Sequence, residues 1–290
     1  DTNVLISAAF RDRLPEDVWD AISLLSVSLD GPPETTNHFR GEGVQERVLA
    51  QVAELRRRGF PHEIHARMTT TPGVDIYDAV TYFVERCPCT FDAVHWQLNV
   101  LFDANDDWHH DRDRVKRWFY DDYNPGITRL MDDWLARMQQ EHTVTRLVPF
   151  MTMMDTMLTR APVDNVRCGA GWQTWSISPN GDIYPCPVMS SYPEFHVGNI
   201  ASMRPDEIKP TCALQEPCPS CEVFGHCGGR CLCSNLRNLW DADGFDIVCD
   251  SIKHLVAELQ RVEPDIRRLI AADAISHDDF DGIQFHEITP

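Results

Sequence analysis

Seven cysteines in the second half of the chain stand at short, defined spacings. They are Cys168, Cys186, Cys218, Cys221, Cys227, Cys231 and Cys249. Two, five and three residues separate the four from Cys218 to Cys231, and Gly181 follows Cys168 after twelve residues and precedes Cys186 by four. Thiolate sulfur is a soft ligand that suits iron–sulfur clusters and zinc. We expect iron–sulfur clusters, because a zinc ribbon pairs two Cys-x-x-Cys knuckles about 15–20 residues apart and this chain has one.

The loop around the single knuckle supports metal binding. Pro217 and Pro219 flank Cys218 on a tight loop, so the sulfurs of Cys218 and Cys221 can point to one metal. The glycines near Cys227 leave the backbone free to wrap around a bulky group.

Four further cysteines lie outside this set. Cys87 and Cys89 flank a proline and have no nearby partners, so we interpret them as loop or core thiols rather than ligands. Cys212 and Cys233 lie among the seven and are open candidates. The count of eleven cysteines is odd. The cysteines fit metal thiolates in a reducing compartment better than they fit a secreted disulfide scaffold. We therefore expect a cytoplasmic protein.

Charge and hydropathy exclude two classes of partner. The net charge is −19, which repels the phosphates of nucleic acids unless a basic patch is present. The one basic run, Arg56 to Arg58, falls at a predicted helix end, where cations are favoured. No apolar run reaches the roughly 18 residues of a membrane span, so neither nucleic acid nor membrane is expected as a partner.

The first half of the chain alternates helix and strand patterns. The patterns predict helices over 15–25, 44–58 and 75–85, and strands over 26–29, 64–68 and 93–100. Alternation at this spacing predicts an α/β fold with a parallel sheet and right-handed crossovers.

The patterns beyond residue 100 are helical or hairpin-like. We expect 103–124 to be a loop with a short helix, and its cluster of Asp106, Asp107, His109 and His110 to be solvated, because adjacent residues cannot converge on one ion. An apolar stripe over 127–138 predicts a helix. Another over 252–262 predicts a second, which Pro264 stops or restarts.

A β-hairpin is expected before Cys186. Asn180-Gly181 is a favoured two-residue turn, which would place Cys186 opposite Trp175. Cys168 would then have to curl back through Gly169-Ala170-Gly171 to lie near Cys186.

In this order the seven cysteines and Gly181 resemble the SPASM auxiliary-cluster domain of radical SAM enzymes. The segments SVSLDGPPE (26–34) and FRG (39–41) are similar to the fourth strand and following loop of a radical SAM barrel, and Thr2-Asn3 to the end of the third strand. CGGRCL (227–232) with His286-Glu287-Ile288 resembles an archaeal branch of peptide-modifying members.

The resemblance implies a partial radical SAM (β/α) barrel that lacks its first strands, followed by a cysteine-rich SPASM domain with a β-hairpin and C-terminal helices. The expected divisions are 1–150 for the barrel and connecting helices, 151–251 for the SPASM domain, and 252–290 for a C-terminal helix and tail. The family's catalytic Cys-x-x-x-Cys-x-x-Cys motif and its glycine-rich SAM-binding segment are absent from these residues. We expect a fragment whose catalytic cluster belongs to a missing segment, with a degenerate protein as the alternative.

The resemblance also implies roles for individual residues. Ser28 and Arg40 are similar to positions that contact the aminocarboxylate of S-adenosyl-L-methionine (SAM). The alternative for Ser28 is a turn cap, and the alternative for Arg40 is a surface ion pair. The first auxiliary [4Fe-4S] cluster would take Cys168, Cys186 and Cys231, with Cys212 or no protein residue as its fourth ligand. The second would take Cys218, Cys221, Cys227 and Cys249.

The implied function is radical modification of a peptide or protein substrate, such as thioether or other side-chain crosslinking of a ribosomal peptide. An electron donor such as ferredoxin or flavodoxin is the implied partner. One alternative is sulfatase-maturation-type oxidation of cysteine or serine. The position after Cys186, an acid in some members, is Pro187 here, which counts against that alternative. The other is a non-catalytic, metal-stabilised peptide-binding module.

Overall fold

The N-terminal half of the molecule is built on a three-stranded parallel sheet. The computed structural model describes residues 13–87, 90–99, 107–238 and 240–281. The strands lie in the order β1, β2, β3 and span Leu24–Ser28, Glu63–Thr70 and Ala93–Leu98. The predicted α/β class with a parallel sheet is thus confirmed.

Helices connect the strands along the chain. They are α1 (Glu16–Asp20), α2 (Pro33–Arg40), α3 (Val44–Arg57) and α4 (Ile76–Thr81), which continues as a π-helical turn over Tyr82–Arg86. Helix α2 was not among the helices predicted from the sequence patterns. Pro33 is at the first helical position, where its missing N–H has no helical partner to lose.

The two faces of the sheet differ in polarity. Val27, Ile64 and Met68 are fully buried in the main hydrophobic core. The alternate positions carry polar side chains, among them Ser28 and Arg67, which are register partners across β1 and β2. Side chains alternate between faces along a strand, so one face is apolar and the other polar.

The segment after β3 is more helical than expected. It contains α5 (Asp107–His110), α6 (Arg112–Arg117), a π-helical turn (Trp118–Tyr123), α7 (Asn124–Glu141) and α8 (Val148–Thr159). The prediction of a loop over 103–124 is therefore wrong for residues 107–123. Its aromatic residues Trp118, Phe119 and Tyr123 are buried in the main core, which holds this segment in helices.

Cysteine-rich chain follows α8 and is mostly irregular. A small antiparallel sheet is formed by β4 (Ser176–Ile177), β5 (Asp182–Tyr184) and β6 (Gly198–Asn199). Short 3₁₀ helices span Val188–Ser191, Pro193–Phe195 and Pro205–Glu207, and two short α-helices follow, α9 (Phe224–Cys227) and α10 (Leu232–Arg237).

The predicted hairpin exists, but its register differs by one residue. Ser176 pairs with Tyr184, and the Ser178 N–H donates to the Asp182 carbonyl over 2.8 Å. The connection is therefore a three-residue loop, and the two-residue turn that would place Cys186 opposite Trp175 is wrong. A two-residue turn would put Pro179 in the ladder, where it has no N–H to donate.

One long helix closes the described chain. Helix α11 spans Asp241–Ala271, and a 3₁₀ turn follows over His277–Phe280. Pro264 lies inside α11, so the prediction that it stops or restarts the helix is wrong. The residue is exposed, which lets water bond the backbone carbonyl that proline leaves free. Helix α11 also runs across the expected division between residues 251 and 252.

The buried apolar residues form two clusters. The main core joins the sheet to helices α7, α8 and α11, and a smaller one lies around Val166, Ala170 and Leu232. None of the helices in the described ranges combines the length and apolarity needed to cross a membrane. The expectations for Thr2-Asn3, Cys89, Asp106 and His286–Ile288 concern residues outside the described ranges.

Candidate metal centre

Three of the seven cysteines lie on one tightly folded segment. The N–H of Cys221 donates to the Cys218 carbonyl over 3.0 Å, and that of Cys227 donates to the Val223 carbonyl over 2.9 Å. Gly228 ends helix α9 with φ of 71°, and a Cβ there would lie 2.4 Å from the Asn165 carbonyl oxygen. The turn after Cys227 therefore requires glycine.

Cys249 joins these thiols from a different element. Cys218, Cys221, Cys227 and Cys249 all line one cavity of about 440 Å³, which we call the thiol cavity. Cys249 belongs to helix α11, whereas Cys218 and Cys221 lie in irregular chain and Cys227 ends helix α9. The four cysteines that the resemblance assigned to one cluster thus border one space.

Burial keeps Cys218, Cys227 and Cys249 protonated when no metal is bound. It raises the pKa of Cys227 to about 11 and that of Cys249 to about 12. Cys218, Cys227 and Cys221 add to the shift at Cys249, so their three sulfurs lie within electrostatic range of it. Metal binding would release these protons, because the thiolate is the ligand.

Other polar groups at the thiol cavity were not predicted from the sequence. Asn235 donates from Nδ2 to the Cys218 sulfur over 3.4 Å and is held by two hydrogen bonds with the Gln215 backbone. Arg230 is 9% exposed and lines the cavity. Arg167 donates from Nε to the His226 carbonyl over 2.8 Å.

One signal in the sequence could have drawn attention to the arginines. In a chain with a net charge of −19, Arg167 and Arg230 each stand directly before one of the seven cysteines. Both guanidinium groups lie within electrostatic range of Cys227.

The remaining thiols lie around the hairpin. Cys168, Cys186 and Cys231 pack against the smaller apolar cluster. The chain after Cys168 turns back on itself, with Gly169 and Gly171 both at φ of 75°, and the approach of Cys168 to Cys186 stays a prediction. We call Cys168, Cys186 and Cys231 the hairpin thiols; Cys231 also borders the thiol cavity.

The extra cysteines differ in their surroundings. Cys233 is fully buried, and burial raises its pKa to about 12, with further contributions from Cys231 and Cys186. Burial raises the pKa of Cys212, and a hydrogen bond with Thr211 partly opposes this rise. Cys87 is buried in the main core, which confirms the interpretation of it as a core thiol.

The donor set fits a multi-iron group better than a single zinc ion. Thiolates on one zinc at about 2.3 Å must lie within about 4 Å of one another. Within the described ranges, no three His, Cys, Asp or Glu side chains come together in a way that could hold one metal ion. In a cubane each thiolate holds a different iron, so thiols spread over the wall of one cavity suit it.

One of the two candidate SAM contacts, Arg40, is held by a buried carboxylate. Ser28 ends β1, and Arg40 ends α2. Arg40 donates from Nε and Nη2 to the carboxylate of Asp30, over 2.6 and 2.7 Å. Asp30 is buried and also accepts from the Thr69 N–H. Arg40 thus forms an ion pair, as the alternative held, although its partner is buried rather than at the surface.

A second cation lies beside Ser28. Arg67 is its register partner, and Arg67 donates to the side chain of Gln97. The polar positions between Ile64, Ala66 and Met68 were the signal in the sequence for this polar face. His109 and His110 are exposed on α5. The Arg56–Arg58 run forms ion pairs with Asp92 and Glu54 rather than an unpaired basic patch.

Comparisons with known proteins agree with this architecture. Residues 168–231 match the SPASM family model, described as an iron-sulfur cluster-binding domain. The chain is 25% identical over 256 residues to the mycofactocin maturase MftC of Mycolicibacterium smegmatis (strain ATCC 700084 / mc(2)155), covering 83% of this chain and 60% of that protein. The chain thus spans about three fifths of that relative.

Solved structures of anSMEcpe share the fold. Native anSMEcpe with bound AdoMet aligns at a TM-score of 0.63 and 17% identity, over 88% of this chain and 72% of that one. The complex of native anSMEcpe with AdoMet and a Kp18Cys peptide aligns at 0.59 and 17% identity, over 87% and 73%. The expected resemblance is confirmed by the domain match and, in the solved structures, at the level of the fold.

Proposed function

We propose that this chain is the greater part of a radical SAM enzyme that modifies a peptide or protein and uses two auxiliary [4Fe-4S] clusters. The observation that carries the proposal is the thiol cavity, where Cys218, Cys221, Cys227 and Cys249 border one space. Three of these cysteines lie within the matched SPASM range.

The ligand assignment follows from the two groups of thiols. The thiol-cavity cysteines would hold one cluster, and the hairpin thiols Cys168, Cys186 and Cys231 would hold the other, with Cys212 as a candidate fourth ligand. Bound clusters of this kind carry single electrons or bind a substrate at an open iron. A ferredoxin or flavodoxin would donate the electrons.

The protein's own groups prepare the thiol cavity for this use. The Asn235 amide donates to the Cys218 sulfur, which orients the thiolate and disperses its charge. Trp240, Phe245 and Ile252 line the same cavity, and these apolar side chains limit the access of water.

Ser28 and Arg40 are the proposed contacts for the SAM aminocarboxylate. The pair with Asp30 uses Nε and Nη2 of Arg40 and leaves Nη1 outside it. The side chain of Arg40 is 25% exposed, so Nη1 can meet a carboxylate while Asp30 fixes the guanidinium plane.

A peptide is the substrate class best supported. The relative MftC is named a maturase, and one fold neighbour was solved with a Kp18Cys peptide. Within this class we propose side-chain crosslinking, with thioether formation as the specific form. Sulfatase-type oxidation remains the alternative enzymatic activity. None of the ten described cysteines forms a disulfide, which fits our proposal of a cytoplasmic protein.

The absence of Cys-x-x-x-Cys-x-x-Cys from the 290 residues favours a second candidate. These residues alone would act as a metal-stabilised peptide-binding module and would not cleave SAM. Incubation with dithionite and SAM tests this, with 5′-deoxyadenosine as the product to be measured. We expect none above a protein-free control, and its formation would contradict the expectation.

The cluster assignment is tested by metal analysis after anaerobic reconstitution. We expect about eight irons per chain, the content of two cubanes. Stoichiometric zinc with no bound iron, in a sample offered both metals, would overturn the proposed function.

A further inference from the structure

Arg230 places a buried positive charge at the wall of the thiol cavity. Its side chain lines the cavity, and the residue is 9% exposed. The same cavity is lined by Cys227, which ends helix α9, and by Cys249 of helix α11. Arg230 therefore faces a space that is bordered by cysteines on two different elements.

The backbone at Arg230 adds an independent observation. Gly228, Gly229 and Arg230 have φ of 71°, 78° and 53°. The left-handed region is easy for glycine and unfavourable for a residue with a Cβ. A third glycine would avoid this cost, so the position holds a side chain in spite of its backbone, as residues with functional roles often do.

Charge at this position acts on reduction. A cubane held by four thiolates is anionic, and each electron taken from an external reductant adds one negative charge. A nearby cation stabilises the more negative state, most strongly where water is excluded. Arg167 contributes a second buried cation near Cys227, but its Nε and Nη2 also hold the His226 carbonyl and Thr156.

We propose that Arg230 sets the reduction potential of the cluster held by Cys218, Cys221, Cys227 and Cys249. Its positive charge makes that potential less negative than it would be with the four thiolates alone. The inference rests on the proposed iron–sulfur function. It adds a role for a residue that is not itself a ligand.

The test is a redox titration of the full 290-residue chain, followed by electron paramagnetic resonance. Cys168→Ser and Cys186→Ser remove two hairpin thiols, so that one cluster remains to be titrated. Arg230→Gln removes the buried charge. Lys253→Gln is the matched control, because Lys253 lines the same cavity but is exposed, so that water screens its charge.

We expect Arg230→Gln to shift the midpoint potential to more negative values, by more than Lys253→Gln does. Arg230→Lys should recover most of the shift. An Arg230→Gln variant that holds about four irons, with a shift no larger than that of the control, would overturn the inference and leave the proposed function intact.

Iron content separates the other outcomes. If Arg230→Gln loses iron and Arg230→Lys keeps it, the positive charge is needed to hold the anionic cluster, which supports the inference. Iron loss from both variants would show a structural role and overturn it. Absence of iron from the unaltered chain would overturn both the inference and the proposed function.

Discussion

The guanidinium of Arg40 is bound side-on by both carboxylate oxygens of Asp30. Nε lies 2.6 Å from Oδ2, and Nη2 lies 2.7 Å from Oδ1. Asp30 is 2% exposed and also accepts from the Thr69 N–H of β2. The pair therefore ties the end of helix α2 to the edge of the sheet where Ser28 lies.

Removal of Arg40 should destabilise the fold. Arg40→Ala leaves the Asp30 carboxylate buried without its partner. We expect a loss of about 2 kcal/mol in the free energy of unfolding, between the values for exposed and buried pairs. Urea denaturation measures this loss.

A double variant separates the charge effect from other effects of Arg40→Ala. Adding Asp30→Asn removes the unpaired charge, so the double variant should recover part of the lost stability. A double variant less stable than Arg40→Ala would contradict the explanation.

Cys249 should be needed for half of the iron. It is the one thiol of the cavity that comes from helix α11, and serine replaces it with a poorer ligand. We expect Cys249→Ser to lose about four of about eight irons after reconstitution. Cys87→Ser is the matched control, because Cys87 is also a buried free thiol but lies in the main core. Full iron content in Cys249→Ser would remove this cysteine from the ligand set.

The hairpin thiols should hold their cluster without Cys212. The pKa of Cys212 depends on burial and on Thr211, whereas that of Cys233 also depends on Cys231 and Cys186. We expect Cys212→Ala to keep its iron and to show a changed paramagnetic spectrum only after a cysteine-containing peptide is added.

Two companion variants complete this test. Cys186→Ala should lose about four irons. Cys233→Ala should keep its iron, because Cys233 is only two residues from Cys231 and both sulfurs on one cubane would strain the backbone. A loss of four irons from Cys212→Ala or Cys233→Ala would identify that residue as the fourth ligand.

His65 should make the stability of the chain sensitive to acid. Burial lowers its pKa, and the bond to Glu63 only partly opposes this. A lowered histidine pKa means that the folded state binds the proton less readily than the unfolded state. The contribution of neutral His65 to the free energy of unfolding is therefore complete above its pKa in the unfolded state, about 6.5. This contribution is lost as the pH falls through the lower pKa of the folded state.

Thermal unfolding between pH 7 and 5 measures this effect. His65→Gln should lose less stability over the range than the unaltered chain, because glutamine takes up no proton. His38→Gln, at an exposed histidine, should follow the unaltered chain. Equal acid sensitivity in His65→Gln would show that another group is responsible.

Local sequence features indicated the candidate metal ligands of this protein and determined much of its secondary structure. The cysteine spacings predicted thiolate metal ligands, and the periodic apolar residues predicted β1, β2, β3 and helix α7. These signals are readable because spacing and periodicity act over a few neighbouring residues. The glycines beside Cys168 likewise permitted the turn that the chain makes there.

The mispredicted features are those where a second effect outweighed the local sequence signal. Asn180-Gly181 favoured a two-residue turn, but Pro179 cannot donate to the ladder, and the hairpin formed with a three-residue loop. Pro264 favoured a helix end, but its exposed position lets α11 continue. The aromatic residues after Asp107 formed helices because the core offered them burial.

Only the tertiary structure decided which distant residues meet. Cys249 reaches the thiol cavity because α11 packs against the main core and carries it there. Arg40 meets Asp30, and Arg230 lines the same cavity as Cys249, through backbone paths that no local pattern encodes. The reason is physical: sequence spacing limits contacts within one element, whereas contacts between elements depend on how buried faces pack together.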